Sequence, residues 1–361
     1  KGGKTVFFYF ERGGEMALKP IGGEIEAQVL NDNFSYLDER IGLYTETFEV
    51  LIPYDYPDLQ AAVDHLSRFK ASQGVRIVLK IASGHALTKG LMVENGDYAY
   101  FRIESESGTV QLDDNFVGVG DEQHLIVGRY AIMPVLACLI DMGGRFGNGY
   151  YGYASSSGRV EEECGVINAG RSGLSFVGGQ CWAYRTVWDG ARREGIRAQQ
   201  TAIIAAQSSN ANNCGYADEF VNGSVFASRG STIHFQHGNA TNGGHVGLRI
   251  QRSTANVQDA DFSDAASDGI EAQLGSRVEA NGVRVNNCGG RGVTLRHGSQ
   301  IDLYNANIAN NAALDLFITS GGNIVNLTGA TTTNGNPSTD DTNLNNFNTT
   351  TSQGIIFAAS Q

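Results

Sequence analysis

Proline, basic residues and long apolar runs are scarce in this chain. It carries 26 Lys and Arg against 38 Asp and Glu, a formal net charge of −12 over 361 residues. That balance speaks against a nucleic-acid partner, whose phosphates call for a basic face. No run of about twenty apolar residues occurs, so no membrane-inserting helix is expected. The apolar stretch Thr5-Val6-Phe7-Phe8-Tyr9-Phe10 is too short for a secretory signal and lacks a cleavage signature. The five cysteines, Cys138, Cys164, Cys181, Cys214 and Cys288, are odd in number and dispersed, a poor basis for a disulfide framework. There is no Cys-x-x-Cys and no His-x-x-x-His, so no zinc site is expected. No cofactor is expected either. The cysteine usage fits synthesis in a reducing cytoplasm. Residues 1–15 precede the first methionine, Met16, and read as a leader segment.

Glycine, by contrast, is plentiful at 47 residues, and it punctuates a repeat. Copies open on apolar triplets such as Val225-Phe226-Ala227, Ile270-Glu271-Ala272, Val293-Thr294-Leu295 and Leu316-Phe317-Ile318. Each then crosses a short polar link and lands on another aliphatic. Weaker copies start at Tyr151, Leu174, Ile196 and Leu248. The steps are 23, 22, 29, 23, 22, 23 and 23 residues. A fixed period of this size means a solenoid. The apolar-polar alternation makes its unit strands. Six residues before the starts, an Asx column recurs at Asn168, Asn242, Asp264, Asn287 and Asn310. Gly190 fills the slot once, and Asn213 joins when six extra residues are discounted. The column predicts an asparagine ladder inside one corner of each coil.

Ahead of the repeat, Ala27, Leu30, Phe34, Leu37 and Ile41 are spaced 3, 4, 3, 4, a short coiled-coil seam. Residues 16–50 therefore read as a helical neck and oligomerisation segment, and residues 51–56 as a linker. A second amphipathic helix is expected over residues 57–69, placed to cover the open edge of the first coil. The β-solenoid is expected over residues 51–328 and a polar cap or tail over 329–361.

Pro57-Asp58-Leu59-Gln60-Ala61-Ala62-Val63, followed by an alternating strand and a glycine turn, resembles the start of the pectate-lyase-like right-handed parallel β-helix of bacteriophage tailspikes. The resemblance spans residues 24–361 in architecture. It implies an all-β, single-stranded right-handed parallel β-helix with a helical neck and a capping helix. It also implies a homotrimer on a virion tail, made in the host cytoplasm and attached to a tail or baseplate protein. Such a protein binds a bacterial surface polysaccharide and often depolymerises it, as a glycoside hydrolase or polysaccharide lyase. A non-enzymatic adhesin of the same fold and a lyase outside phage biology are the alternatives. The chain lacks the family's large particle-binding head and large C-terminal trimerisation domain.

The 29-residue step marks a place for a site. Its extra residues lie within Gly215-Tyr216-Ala217-Asp218-Glu219-Phe220-Val221-Asn222-Gly223. Loops on a rigid scaffold are where binding residues collect. Glu194, on the preceding coil, with Asp218 or Glu219 is the expected acid/base pair. Tyr184 and Trp188 are expected to stack on sugar rings, with Arg192 and Tyr216 beside them. Trp182, eight residues after Leu174, falls in the aliphatic landing slot and reads as core. His234, His237 and His245 read as surface residues.

Overall fold

The computed structural model describes residues 7–12, 15–20, 43–44, 46–145, 147–216, 222–319, 321, 323–332 and 354–357. It is an almost wholly β structure, a right-handed parallel β-helix of about ten turns. The expected neck helix over residues 24–41 lies outside the described residues. Ahead of it, Phe7–Arg12 pairs antiparallel with Glu15–Pro20.

Three parallel sheets line the coil. The first stacks ten strands, from Leu91–Glu94 and Ile126–Arg129 through to Leu316–Thr319. Its register runs Leu174, Ile196, Val225, Leu248, Ile270, Val293, Leu316, as the period implies. The earlier copy shifts by one, because Tyr150 and not Tyr151 pairs with Leu174. Tyr150 is fully buried, and its hydroxyl donates to the Pro134 carbonyl at 2.8 Å. Tyr151 turns outward. The second sheet follows one corner later, at Ile203–Ala205, Thr232–His234, Thr254–Asn256, Arg277–Glu279 and Gln300–Asp302. In the third, short strands such as Gly165–Ile167 and Arg284–Asn286 are joined by single bridges through Val187, Asn210, Asn239 and Asp261.

Each coil turns at three corners, and from the coil of Tyr150 onward each described corner holds a residue with positive φ. Gln200, Arg229, Arg252, Leu274 and His297 mark the first corner, and Ser208, His237, Asp259 and Asn305 the second. The third is the Asx column: Asn168, Gly190, Asn213, Asn242, Asp264, Asn287 and Asn310 have φ between 52° and 70°. Asn, Asp and Gly tolerate this left-handed backbone best. The side chains differ from expectation. From Asn213 onward they are exposed and form no ladder inside the corner, though Asn287 Nδ2 donates to Asp264 Oδ1 at 3.3 Å on its outside. Backbone conformation, not an interior amide stack, selects them. Gly190 has its own reason: a Cβ there would lie 2.2 Å from Asn168 Oδ1, the side chain of the coil below.

The interior is filled by the alternate residues of each strand. The two tryptophans exchange the places read from the sequence. Trp188 is fully buried, its Nε1 donating to Thr186 Oγ1 at 2.7 Å, in the slot that Ala211 and Ala240 hold on the next coils. Trp182 is 51% exposed. The cause is a turn shortened by one residue. Val177 pairs with Gln199 and Gln180 with Ile203, so Gly178-Gly179 spans what Gln200-Thr201-Ala202 spans above. Parity flips after that turn, and Cys181 takes the core slot.

Strand pairing starts before residue 51. Leu43–Tyr44 pairs with Lys70–Ala71, and Phe48–Ile52 with Ile77–Ile81, so the stretch read as a linker opens inside a strand. The capping helix is Leu59–Leu66, with the Asp58 side chain as N-cap accepting from Ala61 N. Pro57 thus precedes the helix instead of opening it. Leu59, Ala62, Val63 and Leu66 are buried. Gln60 reaches the open edge of the first sheet: Met92 N donates to Gln60 Oε1 at 2.7 Å, and Gln60 Nε2 donates to Met92 O at 3.1 Å. One side-chain amide satisfies an edge residue as a neighbouring strand would. At the far end, Gly354–Phe357 adds a strand beside Asn323–Asn326.

The corner geometry predicts the effect of a single methyl. Gly190→Ala should destabilise by about 2 kcal/mol, from left-handed strain plus displacement of Asn168. Equilibrium denaturation of the two proteins measures it, and an unchanged midpoint would contradict the corner argument.

Candidate functional site

The structure divides the sequence-predicted residues among three places. Trp188 is core. Tyr184 lies with Trp182 on the outer side of the second-sheet coils, both about half exposed. Glu194, Arg192 and Tyr216 lie at the edge of the first sheet, where the insertion leaves the coil. Asp218 and Glu219 lie outside the described residues. Glu194 is fully buried and held on both oxygens: Ser172 Oγ donates to Oε2 at 2.8 Å and Asn222 Nδ2 to Oε1 at 2.7 Å. It is within reach of the insertion's end through Asn222. In this arrangement, though, it anchors the loop's end and presents no open carboxylate to a substrate. At the loop's other end, Tyr216 packs its ring over Gly244 and donates its hydroxyl to Asn242 O. Arg192 is exposed beside them.

The two loop ends border a larger feature, the outward face of the first sheet. Residues next to each strand start form one column, Tyr151, Ser175, Arg197, Phe226, Arg249, Glu271, Thr294 and Phe317. Neighbouring strands lie about 4.8 Å apart, so Arg197 and Arg249, two coils apart, are separated by roughly 9.6 Å along the axis. Arg171 and Arg193 flank the column just ahead of their strands. Burial and the nearby charges of Arg193 and Arg197 push the Arg171 pKa down. These three guanidinium groups therefore stand close together. Among the described residues neither Arg193 nor Arg197 has an ion-pair partner. Arg171 is ion-paired with Glu122, and Arg197 Nη2 donates to Gln199 Oε1 at 2.8 Å, yet Arg171 Nε, Arg197 Nε and Ser175 Oγ are buried without hydrogen-bond partners. A chain of net charge −12 thus concentrates incompletely paired cationic donors on one face.

Two histidines sit in this face. His124 is 8% exposed, and its ring lies 4.8 Å from that of Tyr151. Asn148 N donates to its Nδ1 at 2.9 Å, which leaves the hydrogen on Nε2, 3.4 Å from Glu122 Oε2. Burial pushes its pKa down to about 4. Burial also lowers His245, helped by Arg249 and opposed by Glu271 and Asp268. Its Nδ1 is buried with no partner. Beside it, Glu271 is 5% exposed and accepts from Arg249 Nε at 2.6 Å, with Arg296 Nε 3.7 Å away. Asp268 accepts from Thr294 Oγ1 and Arg291 N. The sequence reading passed over this cluster. Its signal was the outward strand position, which carries arginine at 197 and 249, but the 29-residue step hides the recurrence. No group of His, Cys, Asp and Glu suited to a metal occurs among the described residues.

The buried neutral His124 makes stability depend on acid. Its folded pKa lies below the ordinary 6.5, so the stabilisation is present above about pH 6.5 and is lost as pH falls toward 4. The shift corresponds to about 3 kcal/mol, reduced to about 2 by the open edge of the ring. Denaturation between pH 7 and 4 should show that loss, and His124→Gln should flatten the curve there. Equal slopes in both proteins would exclude His124 as the source.

No family model and no curated protein sequence matches the chain. Solved structures do. A mutant of the periplasmic alginate epimerase AlgG matches with a TM-score of 0.55 at 10% identity, over 88% of this chain and 78% of that one. The A-module of the mannuronan C-5 epimerase AlgE4 of Azotobacter vinelandii matches with a TM-score of 0.40 at 12% identity, over 79% and 85%. At these identities the likeness is one of fold, and it places the chain's architecture among right-handed parallel β-helices.

Proposed function

We propose that this chain binds an acidic polysaccharide along the outer face of the first sheet and acts on it by abstracting a proton beside a uronate carboxylate. The observation that carries the reading is His245. Burial and Arg249 bias its imidazole toward the neutral form, its Nδ1 is buried without a partner, and it stands beside the Arg249–Glu271 pair on the arginine-bearing face. Arginine held against a uronate carboxylate would stabilise the negative charge that develops when the adjacent C–H loses its proton. A neutral imidazole can take that proton. Expulsion of the glycosidic oxygen then gives an unsaturated sugar, and return of the proton from the other side gives an epimer. Hydrolysis finds less support, because it needs two available carboxyl groups at set separations. Glu194, Glu271 and Asp268 are each occupied by protein donors. The alginate epimerase AlgG, named for an acidic glycan, is consistent with this chemistry. The reading for this chain rests on its own face.

On the same reading the glycan is a bacterial surface polymer, and the chain is a trimeric tailspike carried on a virion tail, as the tailspike resemblance implies. Purified protein is incubated with capsular polysaccharide containing uronate, with polygalacturonate and with alginate. Ultraviolet absorbance of unsaturated ends reports elimination, and proton exchange at the uronate carbon in deuterated water reports abstraction. His245→Gln should lower turnover by about a hundredfold or more while binding persists. Arg197→Gln should weaken binding about tenfold, and added salt should weaken it further. Binding with neither elimination nor exchange would make the protein an adhesin. No binding to any acidic polymer would overturn the reading, and a monomer mass in light scattering would overturn the trimer.

A further inference from the structure

A separate groove lies on the outer side of the second-sheet coils. It encloses about 620 Å³ and is lined by Trp182, Tyr184, Ile132, Arg159, Glu161 and Glu162 among others. That volume falls within the roughly 300–1,000 Å³ of ligand pockets. Trp182 and Tyr184 are 51% and 49% exposed, while Ala183 between them is fully buried. The two side chains therefore project from one face of the chain, two residues apart. Ile132, 43% exposed, adds an aliphatic wall. One of the two tryptophans in the chain stands in water here, with a core slot left to Cys181 beside it.

Apart from Arg76, which lines the groove with no ion-pair partner among the described residues, the charges around these rings are paired. Glu161 lies 3.1 Å from Arg102 and 3.3 Å from Arg159, Arg102 also contacts Glu104, and Glu162 lies 3.0 Å from Arg185. Paired guanidinium and carboxylate groups keep free lone pairs and N–H groups but present little net field. The first-sheet face differs in degree: Arg171 and Arg249 are paired there with Glu122 and Glu271, but Arg193 and Arg197 have no ion-pair partner among the described residues. Flat apolar surface with neutral, hydrogen-bonding rims suits a sugar ring without charge. The ring's C–H face stacks on Trp182 or Tyr184, and its hydroxyls bond the ion-paired rim.

We infer that this groove is a second carbohydrate site, selective for neutral hexopyranose units and independent of the acidic-glycan face. A glycan with both acidic and neutral sugars, or a neutral polymer near the acidic one, would engage both surfaces. The two modest contacts would then act together through a high effective concentration.

Tryptophan fluorescence tests this directly, because Trp188 is buried and Trp182 is the exposed emitter. Full-length protein is titrated with gluco-, galacto- and manno-oligosaccharides, and with oligogalacturonate as the acidic comparator. At least one neutral series should shift or quench the emission. Trp182→Ala and Tyr184→Ala should each weaken that binding about tenfold, measured for Trp182→Ala by calorimetry. Both variants should keep oligogalacturonate binding, and Arg197→Gln should keep neutral-sugar binding, so failure at one surface is distinguishable from failure at the other. No response to any of the three neutral series overturns the inference. So does neutral-sugar binding that survives Trp182→Ala.

Discussion

A left-handed residue at each of three corners is the constraint on which this molecule depends. An extended strand cannot turn back on itself every few residues unless the backbone crosses into positive φ, and an ordinary side chain there costs about 1–2 kcal/mol. Gly and Asx residues ease that cost at many corners, but other corners meet it in full, at positions as unfavourable as Leu274 and Arg229. What offsets it is repetition. Each corner stacks on the corner below, and backbone groups bond from coil to coil: Asn213 N to Thr241 O, Asn242 N to Ser263 O, Asp264 N to Asn286 O. The corners also fix side-chain parity. Once a corner is set, every following residue is committed to core or surface until the next one.

That dependence explains what the sequence disclosed and what it hid. The period and the Asx column were readable, because backbone strain selects residue types at a fixed spacing. The capping helix was readable from one apolar face, and its purpose from the open edge it had to meet. Gln60 supplies that meeting with a side-chain amide, a detail no spacing could announce. The tryptophans were misread for a local reason. One residue missing between Val177 and Gln180 leaves the repeat recognisable but exchanges inside and outside for Cys181 and Trp182. The slot of Trp188 could not be seen to be interior either, since the residues stacked over it, Ala211 and Ala240, are small. Their smallness is what makes room for an indole.

The candidate face was harder to find than the fold, because it runs along the axis. Tyr151, Ser175, Arg197 and Arg249 are far apart in sequence and adjacent only through register. Sequence reasoning looked instead at carboxylates near an insertion. The structure gives Glu194 a different task. A buried carboxylate with two donors is worth keeping only while both donors stay, so removal of either would leave a desolvated charge. Ser172 belongs to the coil below and Asn222 to the insertion, and Glu194 therefore ties the end of the loop to the solenoid.

The insertion and the basic face are then parts of one design problem. Six extra residues cost little entropy in a loop, so the period alone does not explain why both loop ends are fastened. Sixteen residues separate the corners Asn213 and Arg229, against ten between Asn242 and Arg252. Within that span, Tyr216 is held to Asn242 and Asn222 to Glu194, one on the coil above and one on the coil below. Between these fastenings lies Phe226, an outward residue of the arginine column that is nonetheless 2% exposed. The column thus carries arginine, buried phenylalanine, arginine, beside the lowered imidazole of His245. Phe226 thus keeps water from its own place in the column, and on the proposed reading a charge beside it would act at a lower effective dielectric than on a fully washed face.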